Sequence, residues 1–237
     1  MKMNIFQLQS DFNIVFEQLN KWFKFNLIFL NLDQTHFIQF NNKGKCTSTA
    51  WIKYEDKQIS IDNETKFLGL FTNNKLSWKT HIENIKSKLS STCYAMRSVK
   101  PYVTNILKLI YYSYFHSIIT YGLSFWGNSS DSIKIFRLQK KIIRIIMGCS
   151  SRDSCRKLLF NLENLPLHSL YILSLLLFMI RNKNQFLINS EIYHINTRQH
   201  ANLHQPSVNV TKYQKGVYYW SVKVFNMLPP HIKTEFW

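Results

Sequence analysis

The stretch "KFLGLFTNNKLSWKTHI", residues 66–82, is where the pattern of the chain changes. On its left, "KFLGLF" reads as a short apolar strand whose glycine marks a bulge or a close approach of another backbone. On its right, Trp78, Ile82, Ile85, Leu89, Cys93 and Met96 step by four, three, four, four and three. That is an amphipathic helical stripe, and it ends before Pro101. Upstream, "FQLQSDFNIVFEQLNKWFKFN" has helical spacing that closes at Asn26. "THFIQF" at 35–40 is rich in β-formers, and "WIKYEDKQISI" at 51–61 reads as a hairpin with Glu55-Asp56 at its turn. The expected fold class is therefore α+β: a small antiparallel sheet with one helix, followed by an all-α region.

Beyond residue 82 the helical period persists. A helix over about 104–120 would put Leu107, Tyr111, Tyr114 and Ile118 on one side. "YGLSFWGNSS" at 121–130 reads as a loop punctuated by Gly122 and Gly127. The next helix runs from Asp131, suited to an N-cap, to Gly148, suited to a C-terminal cap. Helices around 152–162 and 168–182 follow, then a polar stretch at 183–215 expected as an extended loop. The segment "GVYYWSVKVFNML" precedes Pro229-Pro230. The divisions expected are 1–76, 77–182 and 183–237.

Composition sets the function classes. A hydrophobic fraction of 46% with 15% aromatics suits a folded chain rather than a disordered one. The net charge is +17, and its placement is uneven. Residues 1–64 hold seven Lys and seven Asp/Glu, whereas residues 65–237 hold 23 Lys/Arg against six acids. Such asymmetry suggests a polyanionic partner for the second part; a lysine- and asparagine-heavy bias would produce the same balance without one. Cys46, Cys93, Cys149 and Cys155 form no CxxC pair, which fits reduced thiols. A zinc site from Cys149, Cys155, His200 and His204 lacks a close-spaced cysteine pair. The opening "MKMNIFQLQSDFN" has no apolar signal core, and the longest apolar run, "LYILSLLLFMI", has 11 residues. An intracellular chain, cytoplasmic or nuclear, is expected, with no secretion signal, no transmembrane segment and no membrane partner.

The helix from 131 to 148 carries the most explicit chemistry. Lys134, Arg137, Lys141 and Arg144 step by three, four and three beside the apolar row Ile135, Leu138, Ile142 and Ile145. A basic ridge backed by apolar side chains can track phosphates without reading bases; the plainer alternative is a solvated helix face. Arg152, Arg156 and Lys157 extend the charge downstream. Carboxylates for metal or acid–base work are scarce. Glu55-Asp56 is the one adjacent pair, no Gly-rich phosphate loop occurs, and His81 beside Trp78 suits packing better than catalysis. No catalytic residue and no metal ligand is expected.

Taken in order, several pieces resemble one family. They are "LQSDFNIVFEQLNKWFKFNLIFLNLDQTHFIQF", "TKFLGLFTNNKLSWKTHI", "SIITYGLSFWG", "LQKKIIRIIMG", "DSCRKLLF", "INTRQHANLH" and "KGVYYWSVKVFNMLPPHIK". Together they are similar to the reverse transcriptase of jockey-like non-LTR retrotransposons, from just after its active-site strand to near its C-terminus. The resemblance implies a palm remnant at 1–76, a thumb-like helical region at 77–182, and a C-terminal loop and helix at 183–237. It implies that Lys66 and Gly69 lie in a primer-grip-like strand, with Trp78 at the crossing into the thumb. Lys134, Arg137, Lys141, Arg144, Arg152 and Arg156 would hold an RNA template and DNA primer, or their duplex, through phosphates. The family's Phe/Tyr-Ala-Asp-Asp hairpin is not in this sequence, and Gln34 stands where the family has a lysine before threonine. The complete enzyme uses Mg²⁺; this chain is expected to hold none, to retain no small-molecule substrate, and to be inactive as a polymerase alone. The missing palm and fingers would be a further partner. The alternatives are a sequence-independent RNA/DNA-binding module, a structural or peripheral-membrane protein whose basic ridge meets anionic lipid, and a non-functional pseudogene product.

Overall fold

The structure, a computed structural model, describes residues 5–40, 52–54, 57–59, 61–100, 106–193 and 199–236. Cys46, Glu55-Asp56 and Pro101 lie outside the described residues. The chain divides into two compact units, Met1–Trp78 and Lys79–Trp237. It is predominantly helical with small antiparallel sheets, an α+β protein.

The first unit opens with α1, Ile5–Phe25. Asn26 stops it: its side-chain amide and its backbone N–H both donate to the Trp22 carbonyl, and Leu27 turns to φ 55°. Two hairpins follow. In the first, β1 (Ile52–Tyr54) pairs with β2 (Lys57–Ile59), with the buried Ile52 opposite the buried Ile59. "THFIQF" is not the strand expected. Its backbone makes only an isolated parallel bridge, Phe37 to Ile61. A local side-chain bond competes there, the Thr35 hydroxyl donating to the Asn31 carbonyl, while the His36 ring makes a long-range contact with the Asp62 carboxylate at 2.7 Å.

The second hairpin corrects the reading of "KFLGLF" as one strand. β3 (Glu64–Phe67) and β4 (Leu70–Asn73) pair antiparallel, and Leu68-Gly69 is the two-residue turn between them. Both turn residues have positive φ, 45° and 81°, the type I′ arrangement whose twist matches the strands. Gly69 is therefore a turn glycine. "TNN" then closes the unit: Asn74 bonds Asn63 through backbone and side chain, and the Asn73 amide engages both the N–H and the hydroxyl of Ser77.

The second unit begins with α2, Lys79–Val99, which buries Ile82, Ile85, Leu89, Cys93 and Met96 as its spacing predicts. Next is a continuous helical stretch made of α3 (Ile106–Ile110), a π-helical segment (Tyr111–His116) and α4 (Ser117–Thr120). Here the buried row is Leu107, Tyr111, Phe115 and Ile119, while Tyr114 is exposed. The wider i→i+5 turns of the π segment advance the inward face by one residue, so the expected row 107-111-114-118 is displaced. The expected loop at 121–130 also holds structure. Gly122, at φ 61°, starts the single helical turn α5 (Leu123–Trp126), and Leu123 and Trp126 are fully buried.

α6 (Ser132–Met147) ends as predicted at Gly148, whose φ of 69° is a left-handed cap. Asp131 occupies the N-cap position without capping, because its carboxylate instead holds Lys134 at 2.7 Å. α7 (Cys155–Asn161) and α8 (Leu167–Arg181) follow. Gln139 of α6 ties them together. Its amide donates to the Leu165 carbonyl at 3.0 Å and its oxygen accepts from the Leu167 N–H at 2.9 Å.

The described residues of 183–215, namely 183–193 and 199–215, are more ordered than an extended loop. They contain a 3-10 turn (Lys183–Gln185), α9 (Asn189–Ile192) and α10 (Thr211–Gln214), and they bury Phe186 and Leu203. α11 (Val217–Asn226) packs on α8 and completes a cluster of Met179, Phe186, Leu203, Val222 and Phe225. Asn226 clamps Leu203 by accepting from its N–H and donating to its carbonyl, both at 2.9 Å. Pro229-Pro230 does not end the chain's helical structure: Pro230 begins α12 (Pro230–Phe236), a position that needs no N–H.

His81 sits under α5, its ring 6.1 Å from that of Trp126 in an edge-on contact, and only 4% exposed. Burial, and then the charge of Lys88, hold its pKa below the usual histidine value. A histidine depressed in the folded state contributes stability above the unfolded pKa, and that contribution is lost as pH falls toward the folded value. Stability is accordingly expected to decline as pH drops below about 6.5, and His81→Leu is expected to flatten that decline. Urea titrations between neutral and mildly acidic pH check it; an unchanged slope in the variant would refute the assignment to His81.

Candidate anion-binding site

α2 and α6 run side by side in the same direction. Glu83 near the start of α2 meets Lys134 near the start of α6 at 2.6 Å, and the far ends of both helices converge on one cleft. That cleft, of about 210 Å³, is lined by Arg97, Lys100, Lys141, Arg144, Ile145, Cys149 and Ser151. Four of its seven lining residues are cationic, and none is acidic. A cation in the last turn of a helix complements the helix dipole, which explains single residues but not the meeting of four.

Local geometry fixes one of the four and locates a second. The Arg144 guanidinium donates twice to the Asp153 carbonyl, through Nε at 3.0 Å and Nη2 at 2.9 Å. The Lys100 ammonium lies over Gly148, 3.3 Å from where a Cβ would stand. Arg97 and Lys141 are exposed, and both act electrostatically on Cys93, buried beneath them. Burial pushes the Cys93 thiol pKa up, and the two cations oppose that rise. The turn at 148–151 is set by Cys149 N–H donating to the Arg144 carbonyl and by Ser150 N–H donating to the Asp153 carboxylate.

The residues expected from sequence fall in different places. Lys141 and Arg144 line the cleft. Arg137 is exposed on the same helix, and Arg152 and Arg156 are exposed in and after the neighbouring turn. Lys134 is engaged with two carboxylates, Glu83 and Asp131, so its charge is compensated at the opposite end of α6. These partners also hold the Glu83 carboxyl below, and the Lys134 ammonium above, their usual pKa values. Lys66 and Gly69 belong to the first unit, where Lys66 places its ammonium 5.7 Å from the ring centre of Phe71 across the hairpin. Arg97 and Lys100 were not anticipated. Their signal was present, since Arg97 and Lys100 are spaced three apart just after the last stripe positions, Cys93 and Met96, but only the pairing of parallel helices brings them to Lys141.

Among the described residues no three His, Cys, Asp or Glu side chains gather as a metal site, so Cys149, Cys155, His200 and His204 do not assemble one. Those residues likewise offer no carboxylate set for the divalent cations of the resembled polymerases. Cys149 and Cys155 instead place their sulfurs 3.6 Å from the carbonyls of Met147 and Lys140. No helix among the described residues is long and apolar enough to cross a membrane. The chain matches no protein-family model, no curated protein and no solved structure.

Proposed function

We propose that this chain is the template–primer-holding portion of a non-LTR retrotransposon reverse transcriptase, and that it binds RNA/DNA through phosphates without reading bases. In this reading residues 1–76 are the end of the palm, 77–182 the thumb and 183–237 the C-terminal region, in a cytoplasmic or nuclear setting. The observation that carries the binding part is the acid-free cleft of Arg97, Lys100, Lys141 and Arg144, flanked by the exposed Arg137, Arg152 and Arg156. The ordered motifs, from "TKFLGLFTNNKLSWKTHI" to "KGVYYWSVKVFNMLPPHIK", carry the ancestry. Polymerisation would need a carboxylate set that the described residues do not bring together, so the proposed role is holding and not chemistry.

Fluorescence anisotropy with two RNA–DNA duplexes of unrelated sequence tests it. Both are expected to bind equally, and with about four phosphates neutralised the affinity should fall on the order of 100-fold between about 50 and 200 mM salt. Strong preference for one sequence, or binding indifferent to salt, would sink the proposal. Primer extension with Mg²⁺ is expected to show no incorporation above background, and genuine incorporation would contradict the assignment.

A further inference from the structure

We propose that the cleft at the convergent ends of α2 and α6 is a seat for one phosphate monoester, and that it captures the phosphorylated end of a nucleic-acid strand. Size decides against a larger ligand. At about 210 Å³ the cleft falls below the range of roughly 300–1,000 Å³ in which small-molecule pockets enclose a whole ligand. It can enclose a head group while the rest of the molecule stays outside.

Charge decides which head group. An internal phosphodiester carries one negative charge, whereas a terminal monoester carries about 1.5 to 2 at neutral pH. Four cations around one small volume repel one another, and a compact dianion relieves more of that repulsion than a monoanion. The donors suit it as well. Arg97 offers a planar fork, Arg144 is held in place by Asp153, Lys100 and Lys141 supply point charges, and Ser151 adds a hydroxyl. The seat for a monoester stands on this geometry; the strand end as its source rests on the function proposed above.

Cys149 reports on the site directly, because it lines the cleft while Cys93 and Cys155 are buried. In a full-length Cys46→Ser background, iodoacetate should alkylate Cys149 faster, relative to iodoacetamide, than it does a free thiol. Inorganic phosphate should abolish that preference. A 5′-phosphorylated single strand should bind roughly tenfold tighter than its 5′-hydroxyl twin. Lys100→Gln with Lys141→Gln should erase this difference, while Arg137→Gln with Arg152→Gln should preserve it; circular dichroism confirms that each variant is folded.

If both strands bind alike and phosphate leaves Cys149 alkylation unchanged, the seat is refuted while general phosphate-backbone binding stands. If phosphate protects Cys149 but neither strand nor duplex binds, the seat stands and the nucleic-acid reading falls. Phosphatidate vesicles displacing the phosphorylated strand, with phosphatidylcholine vesicles inert, would overturn the strand end as source in favour of a lipid surface.

Discussion

Trp126→Ala is expected to destabilise the helical unit by about 4 kcal/mol, a loss of roughly 10 °C in melting temperature for a unit of this size. Trp126 is the largest fully buried side chain among the described residues, at 0% exposure. Truncation removes its packing and leaves a cavity into which the helices can only partly relax. It also removes the indole donor that satisfies the Tyr121 carbonyl at 3.1 Å, leaving that oxygen without its indole partner. The edge-on contact with the His81 ring goes with it. Its sequence neighbour provides the internal comparison. Phe125 is 51% exposed, so Phe125→Ala should cost well under half as much, about 1 kcal/mol or less. Equilibrium denaturation of both variants tests this; equal losses would mean that α5 does not bury one face and expose the other.

Gln139→Leu should cost about 3 kcal/mol although leucine fits a buried helix face in size and character. The reason is at the start of α8. The first N–H groups of a helix have no partner within it, and the N-cap residue here is Pro166, which has no side chain able to accept. Gln139, on another helix and fully buried, accepts from the Leu167 N–H and donates to the Leu165 carbonyl. Leucine removes both partners, and the Leu167 N–H is then left unpaired where it is buried. Gln139→Glu separates the two bonds: its oxygen can still accept from Leu167 N–H, but only the protonated acid can donate to Leu165. Burial raises such an acid's folded pKa, so this variant should regain stability as pH falls and lose it as pH rises. Urea midpoints across mildly acidic to neutral pH read that slope. A Gln139→Leu variant as stable as the parent would show that water, not Gln139, satisfies the α8 N-terminus.

Much of the architecture could be read from residue patterns, and the misreadings have specific causes. The stripe of α2 and the end of α6 at Gly148 were legible because period and cap agree. The hairpin at 64–73 was hidden because leucine, not asparagine or aspartate, holds the first turn position, so "FLGL" has the look of an uninterrupted strand. The register of 107–119 moved because no local residue announces the π segment. The helical turn that buries Trp126 was hidden because the glycines on either side suggested a loop, and Gln139 escaped notice because a glutamine has the look of a surface residue. Half of the cationic cleft, Lys141 and Arg144, follows from spacing within one helix. The other half, Arg97 and Lys100, depends on which way two helices lie against each other, and a linear pattern carries no such information.

The shared direction of α2 and α6 also has a consequence for the order in which the protein acquires structure during synthesis. Neighbouring helices joined by a short turn run oppositely and can zip together as soon as both emerge. A same-direction pair cannot, and here α3, the π segment, α4 and α5 are all made before α6 emerges. On the ribosome the apolar row of α2 therefore waits, uncovered, for the translation of residues 132–147, an interval of a few seconds at about 5–20 residues per second. During that interval a nascent chain stalled before Ser132 would offer chaperones a well-defined greasy ledge.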